Sequence, residues 1–346
     1  MDRRRLVVAL VCALVVAGAV VLLARAQRAP SPEKTPTACG KPFPGNPPLS
    51  FDLPARYAVR GTGAVAKLRR LGDPRTDGRL ALALTAAQYN AGQIEAARRS
   101  VLLAAATLGD DDTRVAVATA MVRWTPARSG EIERTLEGIA ADSPRADGLP
   151  LVERGIVALW LGCSADASTW LGQARASAPD GFYGVLADDL LHLNQNSKYP
   201  LFIPSTVLPG GSIALRRRAA AANPGSVRLG LAYAVALQAA GRRADARAAA
   251  EQAVAADPRS IDAQVAAIVL GYDKDSPATA VGALGGLIKQ NPQAPSPVFH
   301  LGLLLLWIHR NQLAAQEFAK AVALDPNGRI GKVAAAFLKP LRDANG

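Results

Sequence analysis

The chain of 346 residues holds three cysteines and three histidines, and aromatic residues make up only 5% of it. Each shortage removes a class of chemistry. His192, His300 and His309 are too dispersed to form a metal motif by themselves, and no Cys and His zinc spacing occurs. There is no G-x-S-x-G elbow, no H-E-x-x-H and no P-loop, so no enzymatic activity and no cofactor are expected. A scarcity of large rings weighs against a β-sandwich, which draws on aromatic and β-branched cross-strand pairs. With 50% hydrophobic content the chain still buries a large core, and Ala-rich close-packed helices suit that composition. The abundance of Ala, Arg and Gly is consistent with a GC-rich bacterial genome.

Charge of one sign is not lacking: 40 Lys and Arg against 28 Asp and Glu leave a net +12. Anionic lipid or an acidic wall polymer would answer such a balance. Yet only Arg3 to Arg5, Arg216 to Arg218 and Arg242 with Arg243 cluster, and the rest read as solvated helix faces. No aromatic and basic interleaving and no groove-reading helix accompany them, so nucleic acid is not an expected partner.

What the chain does have is a ruler. Pro224, Pro258, Pro292 and Pro326 stand 34 residues apart (258−224, 292−258, 326−292), each following Asn or Asp. A fixed period of this size signals stacked supersecondary units, each dependent on its neighbours to bury its apolar face. From Val227 to Pro258 the unit reads as an apolar helix, a break at Gly241 and Arg242, and an Ala-rich helix whose Ala246 and Ala253 share one face. Proline then stops the second helix, because the residue before it is driven out of the α region.

The unit ending at Pro326 carries Leu301, Gly302, Ala314, Phe318, Ala321 and Pro326, and at this spacing it resembles the tetratricopeptide repeat family. The unit ending at Pro292 keeps Ala280, Leu284 and Pro292 and is loosened by Gly271, Gly282, Gly285 and Gly286. Upstream, Gly155, Gly162, Ala167, Ala174 and Pro179 fall in phase, then Leu136, Ile139 and Pro144, then Gly92, Ala97 and Ala104. The resemblance covers roughly residues 78–326 and implies an all-α, tetratricopeptide-like solenoid of helical hairpins. Residues 329–341 look like an extra helix capping the last repeat.

In that family the first helix of each hairpin lines a partner-binding groove. The resemblance therefore implies a groove lined by Arg228, Leu231, Val235 and Gln238, then Val265, Val269 and Tyr272, then Phe299, Leu303 and Trp307. These residues could equally form core between repeats. Family members that clamp a terminal carboxylate use Asn and Lys at such positions, and their absence favours a helix or an extended apolar segment as partner.

At the amino terminus, Leu6 to Ala24 is a 19-residue run without a charge, preceded by three arginines. It is long enough to cross about 30 Å of hydrocarbon, and longer than the apolar core of a secretory signal, although Ala24-Arg25-Ala26 has the form of a cleavage site. The arginines favour a cytoplasmic start. The expected layout is a cytoplasmic tail 1–5, a membrane helix 6–24, a Pro-rich linker 25–55 acting as a spacer, degenerate repeats 56–192, an insertion loop 193–213, and repeats with a capping helix 214–343. This places a single-pass protein in the cell membrane with its repeats extracytoplasmic, a scaffold for other envelope proteins whose oligomeric state is open.

Three details depart from the ruler. Pro179 and Pro224 are 45 residues apart, a surplus of eleven (45−34), and the insertion contains Tyr199, Phe202 and Ile203, unusually apolar for a loop. Such a loop either packs over a gap between two half-solenoids or meets a partner or groove. Cys39 and Cys163 are the one cysteine pair outside the apolar run, so in an oxidising space they either bridge or stay as thiols. Phe182 to Ala187 looks like a helix start in soluble lytic transglycosylases, although no catalytic domain follows. A degenerate wall-processing factor would have only Asp188 and Asp189 as its carboxylates, and these with His192 share one helical turn without making a metal motif.

Overall fold

The structure is a computed structural model that describes residues 39–343 apart from 41, 60, 62 and 143–147. The expected tail, the membrane helix 6–24 and the linker up to residue 38 lie outside the described residues. Among the described residues there is no strand, and no helix is long and apolar enough to cross a membrane.

After a short helix α1 (Ala64–Arg69), the first half comprises α2 (Gly78–Asn90), α3 (Ile94–Leu108), α4 (Thr113–Met121), α5 (Ser129–Asp142), α6 (Leu149–Trp160), α7 (Ser164–Ser177) and α8 (Phe182–Leu191). The second comprises α9 (Ile213–Ala222), α10 (Val227–Ala239), α11 (Arg243–Ala256), α12 (Ile261–Leu270), α13 (Pro277–Gln290), α14 (Pro295–Trp307), α15 (Asn311–Leu324) and α16 (Arg329–Asp343). The hairpins are α2/α3, α4/α5, α6/α7, α10/α11, α12/α13 and α14/α15, each packed on the next within its half. The surplus length falls inside one unit: α8 packs on α7 and α6, α9 packs on α10, and the insertion runs between them.

Local signals set the helix ends. α11, α13 and α15 stop at Ala256, Gln290 and Leu324, each two residues before a proline of the ruler. Two residues beyond Pro224 and Pro258, Ser226 and Ser260 cap the next helix, their hydroxyls accepting from Leu229 N at 3.4 Å and Ala263 N at 3.3 Å. Each such cap is worth about 1 kcal/mol. The seven-residue spacings become contact: Ala97, Ala104, Ala167, Ala174, Ala246, Ala253, Ala314 and Ala321 are all at most 2% exposed. Close approach also explains Gly302, where a Cβ would come within 2.9 Å of the Phe318 ring. The unit marked as loosened forms an unbroken α13. Its Gly282, Gly285 and Gly286 sit where an added Cβ would meet nothing within 4 Å, while Ala280, Leu284 and Leu287 are buried. Packing of one face outweighs the roughly 1 kcal/mol that each glycine costs in a helix.

α16 lays Ile330, Ala334 and Leu338 on the last hairpin at the i, i+4, i+8 spacing of one helical stripe. The core is divided in the same way as the chain. Two clusters lie in the first half, a large one from Leu49 to Ala187 and a smaller one from Tyr57 to Leu84, and two further clusters lie between Phe202 and Leu338.

One expectation changes here, and one open alternative is decided. Over residues 42–54 the linker is a strap packed on the first half and not a spacer: Pro47, Leu49 and Phe51 are buried, because the prolines hold it extended while its apolar side chains find the core. The insertion, though free of helix, is likewise packed, with Phe202 1% exposed.

Candidate binding face and the segments that cover it

The strap and the insertion each lie across first helices of hairpins, and a carboxamide at the end of a first helix grips each of them. Asn90, the last residue of α2, accepts from Leu49 N and donates to Leu49 O, both at 2.8 Å. Gln238, near the end of α10, accepts from Phe202 N at 2.8 Å and donates to Phe202 O at 3.1 Å. A carboxamide presents one donor and one acceptor side by side, which matches the two backbone groups of an extended residue. Sequence reasoning placed Gln238 on the face and missed Asn90. The available signal was position: both sit just before the left-handed turn glycines Gly92 and Gly241, φ +71° and +73°.

Further bonds fix the strap. Phe43 N donates to Trp160 O at 2.8 Å, Trp160 Nε1 donates to Gly45 O at 3.0 Å, and Asp52 N donates to Tyr183 Oη at 2.9 Å. Cys39 and Cys163 are joined by a disulfide with Cα atoms 4.8 Å apart. Their sulfurs lie near Asp166 as well, but the bridge leaves neither as a thiolate ligand. Backbone meets backbone at this point: a Cβ on Gly162 would come within 3.0 Å of Gly40 Cα, and Gly162 holds a left-handed φ of +75°. Beneath the strap Glu153 is fully buried, and burial pushes its carboxyl up to about 8, an effect the Ser50 backbone N–H partly offsets. Neither of its oxygens reaches a full hydrogen bond, so nothing offsets the burial strongly enough to favour the charged form below about pH 8.

The insertion crosses the second half. Ile203 N donates to His300 Nε2 at 3.0 Å, and His300 Nδ1 bonds Ser296 O at 2.7 Å, which makes Nδ1 the protonated nitrogen. Burial pushes His300 down to about 4. Phe202 stacks on the same ring at 5.4 Å. Asp262 accepts from Ser205 N at 3.1 Å and from the Ser205 hydroxyl, Arg329 Nε donates to Pro204 O at 3.1 Å, and Arg228 donates to Val207 O at 3.2 Å. At the other end Asn196 bonds Trp307 O and Leu306 O, and Tyr272 Oη donates to Gln195 Oε1 at 2.7 Å.

The residues expected to line the groove thus divide. Arg228, Gln238, Tyr272 and Trp307 meet the insertion, and Val269 lines a cavity beside it. Leu231, Val265, Phe299 and Leu303 are at most 3% exposed and form core, closed to an external partner. Val235 is half-buried against the same cluster. In the insertion, Tyr199 and Phe202 point inward and Ile203 packs on the last hairpins.

A charge network joins the halves. Arg175 bonds Asp188 at 3.1 Å and Asp275 at 2.9 Å, and His192 Nε2 lies 2.9 Å from Asp275. Lys274, whose side chain is 1% exposed, pairs with Asp189 and with Asp188, and Tyr199 Oη donates to Asp188 at 2.6 Å. Arg175 and Lys274 therefore neutralise the two carboxylates considered for catalysis, and the cluster works as a structural joint.

Hairpins of this length, period and packing define a tetratricopeptide-like helical solenoid. No family model matches the sequence, and no curated protein matches it. Among solved structures, a tetratricopeptide repeat protein from Parabacteroides merdae is 14% identical, with 81% of this chain and 91% of that one covered at a TM-score of 0.31. The TPR2AB domain of yeast Sti1, solved as a complex with pHSP90, is 11% identical over 78% and 98% at 0.30. Yeast Tom70 is 13% identical over 82% of this chain and 59% of its own at 0.31. Likenesses at these scores carry no argument, and the fold assignment rests on the chain's own period and contacts.

Proposed function

We propose that this chain is a non-catalytic repeat scaffold of the bacterial cell envelope, anchored by residues 6–24 with its repeats on the outer side of the membrane, where they engage other proteins. One observation carries the reading: first helices of successive hairpins hold an extended segment through its backbone, by Gln238, Asp262 and His300. A face that binds backbone groups suits an extended stretch of a partner whatever its exact sequence. The disulfide fits an oxidising space.

In-cell crosslinking from Leu201 and Val207, 52% and 71% exposed, tests it on the full chain. A discrete captured protein whose yield changes when Phe202→Ala loosens the insertion is the expected result. Capture indifferent to that variant, or repeats shielded from protease in spheroplasts until the membrane is opened, would overturn it.

A second reading rests on α9, which has no buried residue and exposes Arg217 and Arg218 beside Leu215. That face suits an anionic wall polymer or lipid surface. Binding that falls steeply with salt identifies this mode, since an apolar or backbone contact does not.

A further inference from the structure

Between the two halves lies a cavity of about 750 Å³, within the range of about 300–1,000 Å³ common for small-molecule sites. Phe182, Val185 and Leu186 of α8, Val269 and Leu270 of α12, and Trp307 of α14 form its walls. Residues 197–201 at the start of the insertion complete its lining, and the exposed Ser197, Lys198 and Leu201 among them mark its mouth.

The polar groups around this space are almost all committed to the protein. Asp180 accepts from Ala244 N at 3.0 Å, and Asp189 accepts from Lys198 N at 2.7 Å and from Lys274. Gln238 is bonded twice to Phe202, and Arg243 donates to Tyr272 O while lying 3.6 Å over the Tyr199 ring. A peptide laid here would find no partners for its backbone, and an unmet buried amide is destabilising. A hydrocarbon chain asks for none.

The mouth differs from the walls. The Lys198 ammonium and the Ser197 hydroxyl are exposed, and no described residue bonds or pairs with them. Lys198 also holds a left-handed backbone, φ +62°, a conformation strained for any residue with a side chain. Lys198 N on Asp189, with Trp307 Nε1 3.4 Å from Lys198 O, keeps the residue in that turn with its side chain at the rim. An apolar pocket with one unpaired cation at its opening is complementary to an amphiphile with one anionic end.

We propose that this cavity binds a single-chain anionic lipid, its hydrocarbon against Phe182, Val185, Leu186 and Trp307 and its acidic head at Lys198 and Ser197. The site adjoins the face covered by residues 201–207 and shares Leu201 and Gln238 with it, but it does not rest on the partner proposed for that face. A free long-chain carboxylate and a lysophospholipid share the required chemistry.

The test uses the full chain in phosphatidylcholine nanodiscs, labelled with a diazirine analogue of palmitate and mapped by peptide mass spectrometry. Labelling is expected on residues 180–201, 268–272 and 307. Palmitate and lysophosphatidylglycerol are the competing arms, and whichever displaces the probe at lower concentration names the source; hexadecanol should compete several-fold less well than palmitate. Val185→Trp fills the space and should remove the label. Lys198→Gly relieves the strained turn, so the fold stays at least as stable, while acid affinity should drop by up to about fivefold, as expected for one exposed ion pair. Label spread along α9–α16, label retained in Val185→Trp with unchanged thermal unfolding, or hexadecanol competing as well as palmitate would overturn the proposal.

Discussion

In the first half of the molecule the covering strap is closed by a covalent bond, Cys39 to Cys163, whereas in the second half the covering insertion is held by hydrogen bonds and the packing of Phe202, with no covalent link. The grip is otherwise the same, one carboxamide at the end of a first helix paired with one extended residue. What differs is reversibility. The bridge keeps segment 42–54 beside the first half even when its hydrogen bonds open, while 201–207 lifts from its face once its bonds and the burial of Phe202 are given up. The groups underneath differ too: a neutral acid, Glu153, lies below the strap and a neutral base, His300, below the insertion.

The comparison breaks most sharply when the bridge is removed. Closing a loop of 124 residues restricts the unfolded chain, an effect of about 5 kcal/mol in the chain-entropy account. Cys39→Ser with Cys163→Ser should speed hydrogen exchange at Leu49 and leave Phe202 unchanged. Equal exchange at Leu49 with and without the bridge would show that the strap is held by packing alone. Lys274→Ala, which strands Asp189 at the joint and leaves Asp188 to Arg175, should cost about 3 kcal/mol and uncouple the melting of the two halves. A single unshifted transition would count against a joint at that position.

Acid and alkali should act on opposite halves. Glu153 is raised from 4.5 to about 8 in the fold, so its contribution is full below 4.5 and fades as pH rises towards 8. His300 is lowered from 6.5 to about 4, so its contribution is full above 6.5 and fades as pH falls towards 4. Between about pH 4.5 and 7 the first half loses about 3 kcal/mol, and between about pH 6.5 and 4 the second half loses about 3 kcal/mol. Denaturant titrations followed by exchange at Leu49 and Ile203 measure the two slopes. Glu153→Gln should flatten the first and His300→Gln the second, and a slope that survives its own variant has another source.

The smallest effect sharpens the likeness between the halves. Asn90→Ala and Gln238→Ala each leave one extended residue without its two partners, at about 1–2 kcal/mol. In the oxidised protein only Gln238→Ala should make residues 195–207 a site of limited proteolysis, because the bridge still holds the strap. Equal cleavage of both segments would mean that the disulfide plays no part in retention.

Residues that pack within one period were readable from sequence, and those that reach across periods were not. Ala246 with Ala253, and Ala314, Phe318 and Ala321, were placed correctly because helical spacing alone brings them to one face. The candidate groove was only partly legible. An apolar residue on a first helix serves core and groove alike, which is why Val265 and Phe299 proved to be interior while Gln238 and Trp307 meet the insertion. Prolines between 42 and 54 forbid a helix, but they do not say whether extended chain stays in water or packs.

The sequence by itself determined the hairpins, their 34-residue period, the helix ends and the capping helix, since each depends on turn chemistry and apolar spacing inside a few dozen residues. Tertiary structure alone decided what lies over the first helices. Asn90 meets Leu49 across 41 positions, Ile203 meets His300 across 97 and Arg175 meets Asp275 across 100, pairings that no local pattern encodes. They follow from stacking: once the units are side by side, the carboxamides, the buried base and the charged joint find the two extended segments that close the surface.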